Sequence, residues 1–370
     1  MVTQKISPTF RRARVSDAED IIQIENASFT SDRMSKRSFI GFVKSRSANL
    51  IVMLVDQQII GYGLVLYKKG SSLARLYSIA VSKKFSGKGL GKKLLMQLEK
   101  NAIQHNAGYM RLEVSATNSK AIGLYLDCGY YEFNVKKDYY EDHGDAICCE
   151  KKLVTLNPKK KTIKLSYYQQ TTEFTCGAAS LMMAMNALRP SSKPNQSLEL
   201  QIWREATTIF MMRGHGGCGP QGLALAAAKR NFKVDIFLSQ SQYFFLDTVR
   251  SEHKREIIKT VQHDFEKELR RFKIRKQKKQ ISFDLIESII KKRGVPIILI
   301  SSFMLAGEKT PHWVTISGID DKFVYFNDPD LNDGHKTLEN QDIPVRRDEF
   351  NRMSRYGGQQ LQALLAIYKS

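Results

Sequence analysis

No stretch of this chain approaches the roughly 18 consecutive apolar residues that a membrane-spanning helix needs, so none is expected. The first residues, MVTQKISPTFRRAR, carry charge but no apolar core, which argues against a secretory signal. Cysteine is scarce. Its five residues are irregularly spaced and odd in number, which does not suit a disulfide framework. Free thiols belong in a reducing compartment, and the expected location is the cytoplasm. Acidic residues are the minority, 37 against 58 Lys and Arg, for a formal charge of +21. Such a balance attracts polyanions: RNA, the phosphates of CoA, or acidic peptides. Zinc-finger spacing and the stacking aromatics of a ribonucleoprotein motif are both missing, so nucleic acid is not the expected partner. A Lys-rich surface is the plainer account. Internal repeats and low-complexity segments are also lacking, and no oligomeric state is implied.

What is present is a 370-residue chain of ordinary globular composition, 42% hydrophobic and 26% charged, long enough for two domains. Residues 8–153 alternate helical and strand patterns. VSDAEDIIQIENASF (15–29) puts Asp17 and Glu19 in a first turn and Ile21, Ile22 and Phe29 at helical spacing. NLIVMLVD (49–56) and IIGYGLVLY (59–67) read as a hairpin broken at Asp56-Gln57-Gln58, and LARLYSIAV (73–81) as a further strand. GYMRLEVSA (108–116) reads as a strand and NSKAIGLYLDCGY as a helix. The character changes at 154–162, where Asn157-Pro158 and three lysines suggest an exposed linker. A second domain then spans 163–368. Within it, 252–279 carries eleven Lys and Arg against five Asp and Glu. Ile257, Ile258, Val261, Phe265, Leu269 and Phe272 keep helical spacing there, so the stretch reads as one docked helix with a basic outer face. VPIILISS (295–302), HWVTISGID (312–320) and KFVYFND (322–328) read as strands.

In the first half, SIAVSKKFSGKGLGKKLL joins a strand to a glycine-rich turn and a helix. Gly87, Gly89 and Gly91 allow close backbone approach, and a helix entrance offers N–H groups and a favourable dipole to an anion. Lys88, Lys92 and Lys93 add positive charge, so a pyrophosphate suits the turn. With RLEVSATNSKAIGLYLDCGYYE (111–132) and KKDYYEDHGDAICCEKKL following in order, the half resembles the GNAT N-acetyltransferase superfamily. It is similar to the RimI-type enzymes that acetylate protein N-termini.

The resemblance implies a GNAT fold over 8–153, acetyl-CoA as cofactor, and a protein or peptide amine as acceptor. It implies that the backbone of Ile79, Ala80 and Val81 pairs with the pantetheine arm. Ser86, Gly87, Lys88, Gly89, Leu90, Gly91 and Lys92 would hold the pyrophosphate, and Asn118 would lie near the pantetheine. Glu113 would act as general base through water, and Tyr125 would protonate the leaving thiolate. Outside such a motif, Glu113 reads as a surface carboxylate and Tyr125 as a core aromatic. Ser86 departs from the family's usual Gln or Arg. Cys128, Cys148 and Cys149 read as structural.

In the second half, YYQQTTEFTCGAASLMM places Cys176 at the start of an apolar helical run. A thiol at a helix N-terminus has its thiolate favoured by the macrodipole. Gln170, six residues earlier, can complete an oxyanion hole with the Cys176 N–H. His312 opens one strand and Asp328 ends the next, so an antiparallel hairpin sets them side by side and Asp328 can orient the imidazole. Asn327 is an alternative orienter and His335 an alternative base. His215 and Cys218 lack further ligands nearby, so no metal site is expected, and Cys218 lacks an upstream Gln.

This arrangement resembles the papain-like peptidases that process double-glycine leaders of bacteriocins, and their cytosolic relatives fused behind a GNAT domain. The resemblance implies Cys176 as nucleophile, His312 as base, Asp328 as orienter and Gln170 as oxyanion donor. The expected fold class is α/β plus α+β, a GNAT acetyltransferase fold followed by a papain-like cysteine peptidase fold. Three functions stay open: a bifunctional acetyltransferase and cysteine peptidase, an acetyltransferase whose second domain only binds peptide, and a basic RNA- or ribosome-binding protein.

Overall fold

In the computed structural model, which describes residues 7–68, 71–157, 161–207, 216–240, 251–301, 310–330, 340–357 and 359–370, the chain divides into two units, Met1–Thr155 and Leu156–Ser370. The first runs β1 (Thr9–Arg12), α1 (Ala18–Ser28), α2 (Lys36–Lys44), β2 (Ala48–Val55), β3 (Gln58–Tyr67), β4 (Leu73–Val81), α3 (Leu90–Gln104), β5 (Tyr109–Ser115), α4 (Ser119–Asp127), β6 (Tyr131–Lys136) and β7 (Ala146–Lys152). Its strands make one seven-stranded sheet in the order β1-β2-β3-β4-β5-β7-β6.

The continuous apolar run of β2 follows from cover on both faces of the sheet. Ile51 and Met53 pack toward α3, while Leu50, Val52 and Leu54 pack toward α1 and α2. Asp56 and Gln57 turn the β2–β3 hairpin with φ of 48° and 68°, the pattern of a type I′ turn. Leu90, Leu94, Leu95, Leu98 and Ala102 form the buried stripe of α3. Gly63 lets that helix sit close, because a Cβ there would stand 2.3 Å from Leu98 Cδ1.

β4 is the strand that matters for chemistry. It runs parallel to β5 only where Leu73–Arg75 face Tyr109–Arg111. A bulge opposite Leu64 and Val65 leaves Tyr77 as an extra residue on β4. Beyond it, Ile79–Val81 are laddered to β3 alone, and their other edge faces a gap between β4 and β5.

The second unit runs β8 (Lys161–Thr162), α5 (Cys176–Leu188), α6 (Gln196–Ala206), α7 (Pro220–Lys229), β9 (Phe232–Leu238), α8 (Glu252–Arg271), β10 (Arg275–Lys278), α9 (Phe283–Lys291), β11 (Val295–Ser301), β12 (Pro311–Ile319), β13 (Phe323–Asn327), β14 (Ile343–Arg346), α10 (Arg347–Met353) and β15 (Ala363–Lys369). Its sheet has the order β10-β9-β15-β11-β12-β13-β14, with β8 paired to β12. β15 therefore lies inside the sheet, between β9 and β11, although it comes last in the chain. α5 carries no charge and is buried from Cys176 to Met185. It is pinned to β12 by Ser180 Oγ donating to Trp313 O (2.9 Å) and Thr315 Oγ1 donating to Ser180 O (3.0 Å).

Two sequence expectations need correction. Residues 252–279 are not one helix. α8 stops at Arg271, and Arg275–Lys278 form an edge strand parallel to β9. The stop is a Schellman motif: Ile274 N–H donates to Leu269 O and Lys273 N–H to Arg270 O, with Lys273 left-handed at φ 53°. Ile257 and Phe272, expected on the apolar face, are 42% and 39% exposed. The end of the expected linker also belongs to the fold, since Lys161 and Thr162 pair with Ile319 and Gly318. Pro158 lies outside the described residues.

Candidate active sites

Cys176 is the first residue of α5. His312 lies near the start of β12, and Asp328 directly follows β13, whose Asn327 faces Thr315. His312 Nε2 sits 2.6 Å from Asp328 Oδ1, with both side chains buried. That bond leaves Nδ1 for the thiol, and Cys176 hydrogen-bonds the His312 ring. Burial opposes charge on the imidazole. The Asp328 carboxylate and then the Cys176 sulfur outweigh it, so His312 is held well above the ordinary histidine range.

The turn Asp328-Pro329-Asp330 also holds Gln170. The Gln170 N–H donates to Pro329 O (2.8 Å), and Nε2 donates to Asp330 Oδ1 (3.3 Å). An amide nitrogen has two hydrogens, so one remains for a substrate oxygen. Asp330 N–H in turn donates to Asp328 Oδ1 at 3.0 Å. Asn327 turns the other way, its Oδ1 accepting from Asp342 N–H (2.9 Å), and does not orient His312. Cys218 is buried beneath α5, where Ala178 N–H donates to its sulfur and burial pushes its thiol far up. A Cβ on Gly177 would stand 2.8 Å from Cys218 Cβ, so only glycine fits beside Cys176. His215 and His335 lie outside the described residues. Among the described residues no group of three potential ligands could hold a metal ion.

One buried group escaped the sequence reading. Glu199 on α6 is 0% exposed and accepts four hydrogen bonds. Their donors are Tyr168 OH, Thr171 N–H, Thr171 Oγ1 and Thr175 Oγ1, all in the segment that carries Gln170 to Cys176. An acidic residue in the first turn of a helix reads from sequence as a dipole partner, and nothing local marks it as buried.

In the first unit, Gly87 and Gly89 adopt left-handed φ of 78° and 70° at the entrance to α3. A Cβ at either would meet nothing within 4 Å, so the space over the turn is open. The first N–H groups of α3, from Leu90, Gly91 and Lys92, lack intrahelical acceptors. Lys88, Lys92 and Lys93 are exposed beside them. Ser86 Oγ accepts from Lys120 Nζ at 2.6 Å. Asn118 has a structural task, capping α4 by accepting Ala121 N–H (3.1 Å).

Glu113, on β5, has both oxygens engaged by cations, Oε2 by Arg75 Nε (2.9 Å) and Oε1 by Lys136 Nζ (2.8 Å). Arg75 also donates to Tyr139 OH at 2.7 Å. Tyr125 is 6% exposed, packed edge-on against Tyr130, and burial pushes its phenol up. No hydrogen bond joins Glu113 to Tyr125 among the described residues.

Residues 165–368, more than half of the chain, match the family described as "Peptidase_C39 like family". The chain belongs to that family. Residues 18–130 match a second one, the "Acetyltransferase (GNAT) family". An N-alpha-acetyltransferase of Sulfurisphaera tokodaii is 32% identical over 147 residues, 37% of this chain and 87% of that protein. One from Saccharolobus solfataricus is 32% identical over 151 residues, covering 37% and 89%. The ribosomal protein bS18-alanine N-acetyltransferase of Salmonella typhimurium is 31% identical over 116 residues, covering 30% and 76%.

The protein is thus a GNAT acetyltransferase with a C39-peptidase-like domain after it, and its cofactor is acetyl-CoA. The residues present fit that cofactor. Two open left-handed glycines, an uncapped helix entrance and three lysines suit a pyrophosphate. The free edge of Ile79–Val81 suits the amides of an extended arm. No described helix is long and apolar enough to cross a membrane.

Proposed function

We propose that this GNAT, C39-like protein hydrolyses a peptide bond at Cys176 and acetylates the amine of a protein or peptide. The observation that carries the first activity is the hydrogen-bonded chain Asp328–His312–Cys176 at the start of a buried helix. In this reading the Cys176 sulfur attacks the scissile carbonyl carbon. The developing oxyanion faces the Cys176 N–H and the Gln170 amide. His312, held protonated by Asp328, gives its proton to the departing amine. It then deprotonates the water that frees the acyl group from Cys176.

The second activity rests on membership of the acetyltransferase family and on its similarity to N-alpha-acetyltransferases and a ribosomal protein bS18-alanine N-acetyltransferase. Acetyl-CoA supplies the acetyl thioester. Gly87 to Lys92 bind its pyrophosphate, and Ile79 to Val81 align its arm. Glu113 receives the acceptor's proton through water, between Arg75 and Lys136 that fix its position. Tyr125 keeps its own proton until a leaving thiolate takes it. Hydrolysis at Cys176 releases a fragment with a new α-amine, the kind of group that N-alpha-acetyl transfer consumes. Five free cysteines support a reducing compartment, the cytoplasm.

The test is mass spectrometry of peptides incubated with the full chain and acetyl-CoA. Cys176→Ala is expected to abolish cleavage and leave acetylation of a free N-terminal amine unchanged. Cleavage by Cys176→Ala as fast as by wild type overturns the thiol mechanism.

A further inference from the structure

We propose that Glu199 is a positioning residue for the oxyanion end of the thiol site, an inference that rests on the peptide-hydrolase reading of Cys176. The first observation is burial. A side chain with 0% exposure and four donors on its carboxylate fixes whatever supplies those donors. All four come from residues 168–175: Tyr168 stands just before Gln170, and Thr171 and Thr175 lie between the two expected oxyanion donors, the Gln170 amide and the Cys176 N–H. Tyr168 OH donates at 2.8 Å, Thr171 N–H at 2.8 Å, Thr171 Oγ1 at 2.9 Å and Thr175 Oγ1 at 2.5 Å. Burial, and then the bond to Glu199, push the Tyr168 phenol up, so it stays a donor.

The second observation concerns Thr175, the N-cap residue of α5. A threonine there ordinarily turns its hydroxyl onto the helix and satisfies an N–H of the first turn. Thr175 makes no such bond; its hydroxyl is turned to Glu199, with Thr172 O at 3.1 Å and Thr172 Oγ1 at 2.9 Å beside it. The N–H of Ala178 is taken instead by the Cys218 sulfur. The N–H groups of Cys176 and Gly177 are left with no acceptor among the described residues. In the hydrolase reading those groups serve the carbonyl oxygen attacked by Cys176. Glu199 therefore does two things at once. It sets the spacing of Gln170 and Cys176, and it holds Thr175 away from the helix end so that the end stays open. It does not touch the substrate and takes no part in proton transfer.

The experiment compares two reactions of the same thiol. Hydrolysis of a fluorogenic Gly-Gly-aminomethylcoumarin peptide needs the oxyanion donors. Alkylation of Cys176 by iodoacetamide, a displacement at saturated carbon, does not. Loss of one oxyanion donor costs about 100-fold or more in kcat. Glu199→Ala in the full chain is expected to lower kcat about 100-fold with KM within about 3-fold, and to leave the alkylation rate within about 2-fold. Glu199→Gln keeps an acceptor for Thr171 N–H and Thr175, and is expected to recover most of kcat. Should Glu199→Ala fail to fold, Glu199→Asp, too short to reach every donor, carries the test with a smaller loss of the same pattern. A parallel fall of hydrolysis and alkylation, or a variant with wild-type kcat, overturns the proposal while the hydrolase reading stands. A wild-type protein that alkylates normally but hydrolyses nothing overturns both.

Discussion

His312 Nε2 on β12 and Asp328 Oδ1, just past the end of β13, stand 2.6 Å apart and buried. Burial opposes charge on this imidazole, and Asp328, followed by the Cys176 sulfur, raises it above the ordinary range. Asp328→Asn is therefore expected to lower the His312 titration midpoint. The imidazole proton resonances over a pH series report this directly. The sign for stability follows. A folded pKa above the unfolded value gives stabilisation that is full below about pH 6.5 and is lost as pH rises through the folded pKa. The second unit of wild type should thus lose thermal stability toward alkaline pH, and Asp328→Asn should lose less. A His312 midpoint that ignores the substitution would contradict the assignment.

Gly177 follows Cys176 and has no room for a side chain: Cys218 Cβ at 2.8 Å, Leu223 and Trp313 at 3.1 Å. Gly177→Ala must push α5 off β12 or force Cys218 aside. Overpacking of this kind costs about 1–3 kcal/mol. A lower melting temperature of the second unit is expected, with cleavage reduced at least about 10-fold by the displaced thiol. Normal cleavage at normal stability would show that the helix end tolerates the added methyl.

Gly89 sits at φ 70° where α3 begins, with open space where a Cβ would go. Alanine there meets no neighbour, so the penalty is backbone strain of about 1–2 kcal/mol. Gly89→Ala is expected to raise KM for acetyl-CoA about 10-fold with little change in kcat. Steady-state kinetics at saturating acceptor separates the two. An unchanged KM would remove this turn from cofactor binding.

Glu25 in α1 is 1% exposed, accepting from Met34 N–H (2.9 Å) and from Tyr62 OH. Burial raises its carboxyl above the usual range, outweighing those bonds. The folded first unit therefore holds this proton more tightly than the unfolded chain. Its stabilisation is present at low pH and is lost as pH rises through the raised value. Wild type should show a first-unit melting temperature that declines from pH 5 to 8, and Glu25→Gln a flatter profile. Identical profiles would place the titration elsewhere.

How much of this was legible in the sequence depended on how local each feature is. The β2–β3 hairpin and the helix starting at Cys176 announce themselves through period-2 and helical patterns within a dozen residues. The meeting of His312 and Asp328 follows from strand pairing, which needs only a turn between two strands. The end of α8 was not legible because its Schellman stop uses Lys273 where glycine is usual. The basic run after it then looked like more helix. Glu199 was not legible either, since only the docking of α6 turns a first-turn acid into a buried acceptor. Asn118 shows a further limit: a residue beside a site can serve the helix instead, and Asn118 caps α4.

β15 lies between β9 and β11, with strands made much earlier on both sides. During synthesis β11 and β9 have no common neighbour until residues 363–369 leave the ribosome. α5 is pinned to β12, which pairs with β11 and β13, so what waits for β15 is the joining of β9 and β10 to the rest of the sheet. The strand order thus makes closure of this sheet depend on pairings between segments far apart in the chain, the kind that form slowly.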